Sequence, residues 1–121
     1  MSKSGVVQTK SFAFAVRIVN LSKFLTAEKK EFVLAKQVLR SGTAIGALVR
    51  EADQAESKAD FIHKMSIALK EANETEYWLL LLRGANILDK AAFVSIHNDA
   101  TELLKLLTRI IKTAKSNGQQ S

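Results

Sequence analysis

Two histidines, two closely spaced glutamates and two glycines are the residues of this sequence whose types invite a chemical reading. His63 and His97 fall on separate segments, and neither has a carboxylate or a second histidine at the spacing a metal site requires. Glu71 and Glu74 stand at i, i+3, as in half of a di-iron bundle. Such sites need a Glu-x-x-His on each of two helices, and neither histidine has a glutamate three residues before it. Gly42 and Gly46 are followed by no Gly-Lys-Ser/Thr, so they are not a phosphate loop. Their spacing puts both on one face of a helix and predicts close approach of a neighbour. The expectation is a protein with no catalytic centre, no metal and no cofactor.

The elements that carry these residues are bounded first by composition. A chain of 121 residues, 47% hydrophobic and 25% charged, is expected to fold as one domain over 1–121 with a real core. It has no proline, which favours long uninterrupted helices, and no cysteine, which excludes disulfides and thiolate metal sites. Met1 to Lys10 lacks the apolar core of a signal peptide, and no apolar run is read as a membrane span. A cytoplasmic protein with no membrane partner is expected.

The net charge of +6 is unevenly placed. Lys3, Lys10, Arg17 and Lys23 occupy residues 1–27 without an acid. Lys105, Arg109, Lys112 and Lys115 occupy residues 103–121, again without one, which leaves the middle slightly acidic. If the first and last helices lie side by side, this excess gathers on one flank and offers phosphates a sequence-independent surface. The candidate nucleic-acid-binding residues are therefore Lys10, Arg17, Lys105, Arg109, Lys112 and Lys115. There is no helix-turn-helix pattern and no aromatic stacking platform.

Hydrophobic periodicity predicts helices at about 10–25, 31–54, 58–83 and 90–115, followed by a frayed polar tail at 116–121. The first carries Phe14, Ile18, Leu21 and Leu25. The second carries Phe32, Ala35, Leu39, Gly42, Gly46 and Val49 on one stripe, with Val38, Ile45 and Ala52 beside it. The third is opened by Ser57 and Asp60 at capping-box spacing, runs through Met65, Ala68, Ala72, Thr75, Leu79 and Leu82, and is closed by Gly84 as a C-terminal cap. The fourth follows Asp89 as N-cap and repeats Phe93, Ile96, Ala100, Leu103, Leu107, Ile110 and Ala114. Four amphipathic helices joined by short loops predict an all-α fold, an antiparallel up-down-up-down four-helix bundle.

Tyr77 to Leu82 is apolar around the whole helix, more than one bundle core absorbs. Leu79 and Leu82 face the core, which leaves Trp78 and Leu81 either under the loop after Gly84 or at a subunit interface. Interface is the favoured reading, because Trp and Tyr are frequent anchors. Asp60, Lys64, Glu71 and Glu74 share a face with Trp78. They are read either as solvated, with intrahelical pairs such as Asp60 with Lys64, or as a contact face on which Glu71 and Glu74 meet Arg40 or Arg50 of a neighbouring subunit.

The run Arg40-Ser41-Gly42-Thr43-Ala44-Ile45-Gly46, then Glu51-Ala52, then Ser57 to Ala72, then Glu74-Thr75-Glu76-Tyr77-Trp78-Leu79 closely resembles the four-helix bundle proteins of the 23S ribosomal RNA intervening-sequence family. The resemblance extends from about Phe12 to Lys115. It implies homopentamers arranged as a tapered barrel. It also implies kinship with the accessory variability proteins of diversity-generating retroelements, which partner a reverse transcriptase and bind nucleic acid through basic surfaces. Leu48 stands where the family commonly has asparagine, whereas Arg40, Glu51, Asp60, Lys64, Glu71, Glu74 and Tyr77 match its polar or aromatic positions. The resemblance thus favours Arg40, Asp60, Lys64, Glu71, Glu74, Tyr77, Trp78 and Leu81 as subunit contacts. The reading is a non-enzymatic homo-oligomer that binds RNA, DNA or a nucleic-acid-processing protein. The alternative is an interaction scaffold with no nucleic-acid role.

Overall fold

The computed structural model describes residues 5–120, with side chains described through Asn117. Four helices follow one another: α1 Val6–Ala27, α2 Phe32–Ala52, α3 Lys58–Gly84 and α4 Lys90–Gln120, with no strand among the described residues. Each packs along its sequence neighbours, α1 touches α4 over a smaller area, and the diagonal pairs do not meet. Side-chain pairs fix the directions. Gln8 at the start of α1 donates to Asp53 just past α2 (2.9 Å), while Ser22 near the end of α1 donates to the Ala35 carbonyl near the start of α2 (3.1 Å). The same inversion relates α2 to α3, through Arg40 with Glu71 and Glu51 with Lys64, and α1 to α4, through Arg17 with Asp99 and Lys10 with Glu102. The bundle is antiparallel and up-down-up-down.

The helix starts are set by side-chain caps. The Glu31 carboxylate accepts from the Leu34 amide (3.3 Å), which makes residue 31 the N-cap of α2. Ser57 Oγ accepts from the Asp60 amide (3.0 Å), and the Asp60 carboxylate reaches back to the Glu56 amide (3.3 Å). The box therefore closes one residue earlier than its usual reciprocal form. Asp89 caps α4 through the Ala92 amide (2.8 Å).

The end of α3 differs from expectation. Gly84 is the last helical residue, and the left-handed residue is Asn86 at φ 61°. Ile87 N–H bonds to the Leu82 carbonyl and Asn86 N–H to the Arg83 carbonyl, the pairing of a Schellman motif. Asparagine tolerates this conformation through its short polar side chain. The expected tail is helical through Gln120, with Ser121 outside the described residues. No proline interrupts it.

The core runs the length of the bundle, with Phe14, Ile18, Leu25, Val38, Ile45, Met65, Leu79, Leu82, Leu103 and Leu107 fully buried. Two expected positions move. On α4, Ile111 is buried in place of Ile110, because a 3.6-residue helix drifts from a strict heptad over several turns. On α2, the buried stripe is centred on Ala35, Val38, Ser41, Gly42, Ile45, Val49 and Ala52, and Phe32 is 57% exposed. By length and composition alone, α2 is the one described helix long and apolar enough to cross a membrane. Here it is the core helix, flanked by α1 and α3.

At Gly42 an added Cβ would lie 2.7 Å from Ile18 Cγ1, whereas at Gly84 nothing lies within 4 Å. Gly42→Ala is therefore expected to cost about 1–3 kcal/mol through overpacking. Gly84→Ala should be neutral or stabilising by up to ~1 kcal/mol, as Ala is the better helix former. Urea unfolding of the two variants beside wild type checks the contrast.

Candidate nucleic-acid interface

The six candidate cations do not form one flank. Arg17, on α1, donates through Nη1 to the Ser95 carbonyl (3.2 Å) and to Asp99 Oδ2 (2.7 Å), and through Nη2 to Ser95 Oγ (2.9 Å). Lys10, two turns earlier on the same face, pairs with Glu102 at 2.9 Å. Helices α1 and α4 do lie side by side, as expected. The acids that α4 turns toward α1 consume both candidate cations of α1, so Lys10 and Arg17 close the seam of the bundle. Residue 3, with its lysine, lies outside the described residues.

Lys105, Arg109 and Lys112 occupy a different face. They line a groove of ≈ 610 Å³ between α3 and α4, together with Leu69, Asn73, Leu104, Thr108 and Thr113. A helix brings positions i, i+4 and i+7 onto one side. The groove lining contains no acid, and among the described residues none of the three cations enters an ion pair. Lys115 is exposed one turn beyond Lys112. Lys70, not among the sequence candidates, is exposed on α3 beside Leu69 and one turn before Asn73. It was missed because the end-weighted charge count assigned the middle of the chain to the acidic side. The α3–α4 pairing that brings it here was not specified by charge.

The charged stripe of α3 turns inward to its own chain. Arg40 Nη1 donates to Glu71 Oε1 (3.2 Å) and Nη2 to Glu74 Oε2, which also accepts from the Trp78 indole N–H (3.0 Å). Lys64 pairs with Glu51 of α2 at 3.1 Å rather than with Asp60, which caps its helix. Arg40, Asp60, Lys64, Glu71 and Glu74, expected at a subunit contact, are thus satisfied within one chain, since the antiparallel register sets α2 charges opposite those of α3.

Trp78 is half-buried against the core, and its ring meets Tyr77 edge-on at 5.1 Å. The apolar excess instead emerges at Tyr77, 57% exposed, Leu80 and Leu81. A second apolar surface appears on α1, where Phe12 is 71% exposed beside Val16. Phe12 borders a groove of ≈ 820 Å³ between α1 and α2, floored by Ser11, Ala15, Gly46 and Ala47 and edged by Arg50. The spacing of Phe12 alone does not separate the α2-facing flank from the interior.

The histidines do not converge. His63 is exposed. His97 donates to Glu76 at 2.9 Å and stacks on Phe93 at 4.8 Å, which ties α4 to α3. Among the described residues no three His, Asp or Glu side chains gather as a metal site.

A sequence model described as the 23S rRNA-intervening sequence protein matches residues 3–109. The chain belongs to this family. A crystal structure of a protein of unknown function from the S23 ribosomal protein family of Bacteroides thetaiotaomicron is 64% identical. It superposes with a TM-score of 0.88, covering 88% of this chain and 99% of that one. No curated protein matches. Leu48, where the family commonly has asparagine, packs at the edge of the core.

Because Arg17 is spent on the α1–α4 seam, Arg17→Ala is expected to lower stability by about 0.2–1 kcal/mol, the range of partly exposed ion pairs. Affinity for nucleic acid should not change. Denaturant midpoints and a binding isotherm on the same preparation separate the two effects.

Proposed function

We propose that this family member is a non-enzymatic, homo-oligomeric bundle that binds RNA or DNA through the α3–α4 groove. The observation that carries the reading is the contrast between two sets of cations. Lys10 and Arg17 are neutralised by Glu102 and Asp99, whereas Lys105, Arg109 and Lys112 line a groove free of acids. Unpaired cations at the surface release condensed counterions when they meet phosphates, and that release supplies affinity without sequence preference. The ribosomal names carried by the family and by its solved relative agree with an RNA ligand.

A second reading, contact with protein, is favoured by the two exposed apolar surfaces at Phe12 with Val16 and at Tyr77 with Leu80 and Leu81. They lie on different helices, so two copies that joined one surface to the other would make a heterologous contact. Heterologous contacts close into rings where the rotation between copies closes, and otherwise run on as filaments. This is compatible with the pentameric barrel that the family resemblance implies, and with a nucleic-acid-processing partner on the outside of the assembly.

Reversing charge at Arg109 and Lys112 together (Arg109→Glu, Lys112→Glu) should weaken binding and lower the salt slope of log K by about two, roughly one per cation removed. Reversal at Lys10 should leave the slope unchanged. Fluorescence anisotropy across a salt series reads both, and equal slopes for all three proteins would reject the groove.

For assembly, light scattering should give wild type a mass near five chains. Phe12→Ser and the pair Tyr77→Ser with Leu81→Ser should each lower it. A monomeric wild type refutes self-association, and unaltered masses in both variants refute these two surfaces.

A further inference from the structure

We infer that the α3–α4 groove recognises double-stranded rather than single-stranded nucleic acid. This rests on the proposed nucleic-acid reading and adds the class of ligand to it. The cations form a ladder on one rigid helix, Lys105, Arg109, Lys112 and then Lys115, spanning about 15 Å at 1.5 Å per residue. A duplex presents one charge per ~1.7 Å of axis, so roughly nine phosphates lie along that length. That figure counts both strands as they wind about the axis, so the ladder meets a dense, regular array of charge of which part faces it, without bending either partner.

The rest of the groove selects against single strands by what it lacks. Binding of single strands draws most of its non-ionic energy from bases stacked on aromatic rings. The lining contributes Leu69, Leu104, Asn73 and threonines, and no aromatic ring. The aromatic residues nearest by position, Tyr77 and Trp78 about one turn beyond Asn73 on α3, lie outside the lining and meet each other edge-on. Phe61 lines the α1–α2 groove, and Phe93 stacks on His97 toward the other end of α4. Threonine hydroxyls and the Asn73 amide can bond to phosphate or sugar oxygens but carry no sequence information. Only the electrostatic part remains, and counterion release is greater from a duplex than from a single strand, with about 0.9 against 0.7 ion per phosphate neutralised.

The experiment compares a labelled 20-base-pair duplex, as RNA and as DNA, with each of its single strands. Anisotropy titrations of the full chain run across a salt series, beside Lys105→Gln, Arg109→Gln and the double variant. The expected result is several-fold tighter duplex binding, with little dependence on sequence and a duplex salt slope that falls by about one for each cation removed. Single-strand binding that equals or exceeds duplex binding overturns the inference and leaves the nucleic-acid reading standing. Absence of binding to every probe overturns both. Duplex preference with slopes unaltered by the variants overturns the groove as its seat. The exposed positions let the variants fold, and circular dichroism verifies it.

Discussion

The close approach of α1 and α2 at Gly42 is the constraint from which the other contacts follow. With Ile18 filling the space a side chain would occupy, α1 can sit only where its Ser22 reaches the Ala35 carbonyl and its Ser11 lies over Gly46. On the neighbouring face of α2, one residue before Gly42, Ser41 is fully buried and within 2.9 Å of the Thr75 hydroxyl, which also lies 2.8 Å from the Glu71 carbonyl. Thr75 has one proton, so it donates to the carbonyl and accepts from Ser41. A buried hydroxyl pair of this kind costs free energy when mispaired, so it holds α2 and α3 in one register. Once that register is set, Arg40 stands opposite Glu71 and Glu74, and the charged stripe of α3 has no choice of partner.

This dependence explains which features were legible in the sequence. Helix type, order and capping residues are local properties: Ser57 and Asp89 act on amides three residues away, and no distant element alters that. The bundle seam was legible to within a turn. Ile111 displaced Ile110 only where a strict heptad had been extended too far, and Asn86 displaced Gly84 because both residue types can take the left-handed cap. Partner choice among charges is non-local. Asp60 and Lys64 look like an intrahelical pair by spacing, but one finds its partner in a cap and the other in Glu51 of α2.

The same logic governs the cations at the two ends of the chain. Counting charge by segment treats Lys10, Arg17, Lys105, Arg109, Lys112 and Lys115 as equivalent, because all lie in stretches without acids. Folding separates them by helix face. Asp99 and Glu102 stand on the α1 side of α4, so α1 is neutralised across the seam, and the cations one helical quarter away keep their charge. Few apolar contacts join α1 to α4, so polar bridges hold the seam that closes the ring of helices. A cation needed there cannot also serve a phosphate.

Three surfaces carry the proposed contacts, and their placement decides whether they compete. The acid-free groove lies between α3 and α4 toward the C-terminal half of α4. The apolar excess at Tyr77, Leu80 and Leu81 lies further along α3, near its C-terminal end, and Phe12 and Val16 project from α1 beside the α2 groove. No residue is shared between the cationic groove and either apolar surface. Burying large apolar side chains such as Phe12 releases about 1.5–3 kcal/mol each, enough to reward association without drawing on any cation. Charge repulsion between copies would otherwise oppose assembly of so basic a chain. Assembly through surfaces that share no residue with the ladder leaves every copy's cations free, so a ring would present several ladders at once, and the effective concentration of the second ladder near a bound polyanion would raise affinity without any new contact.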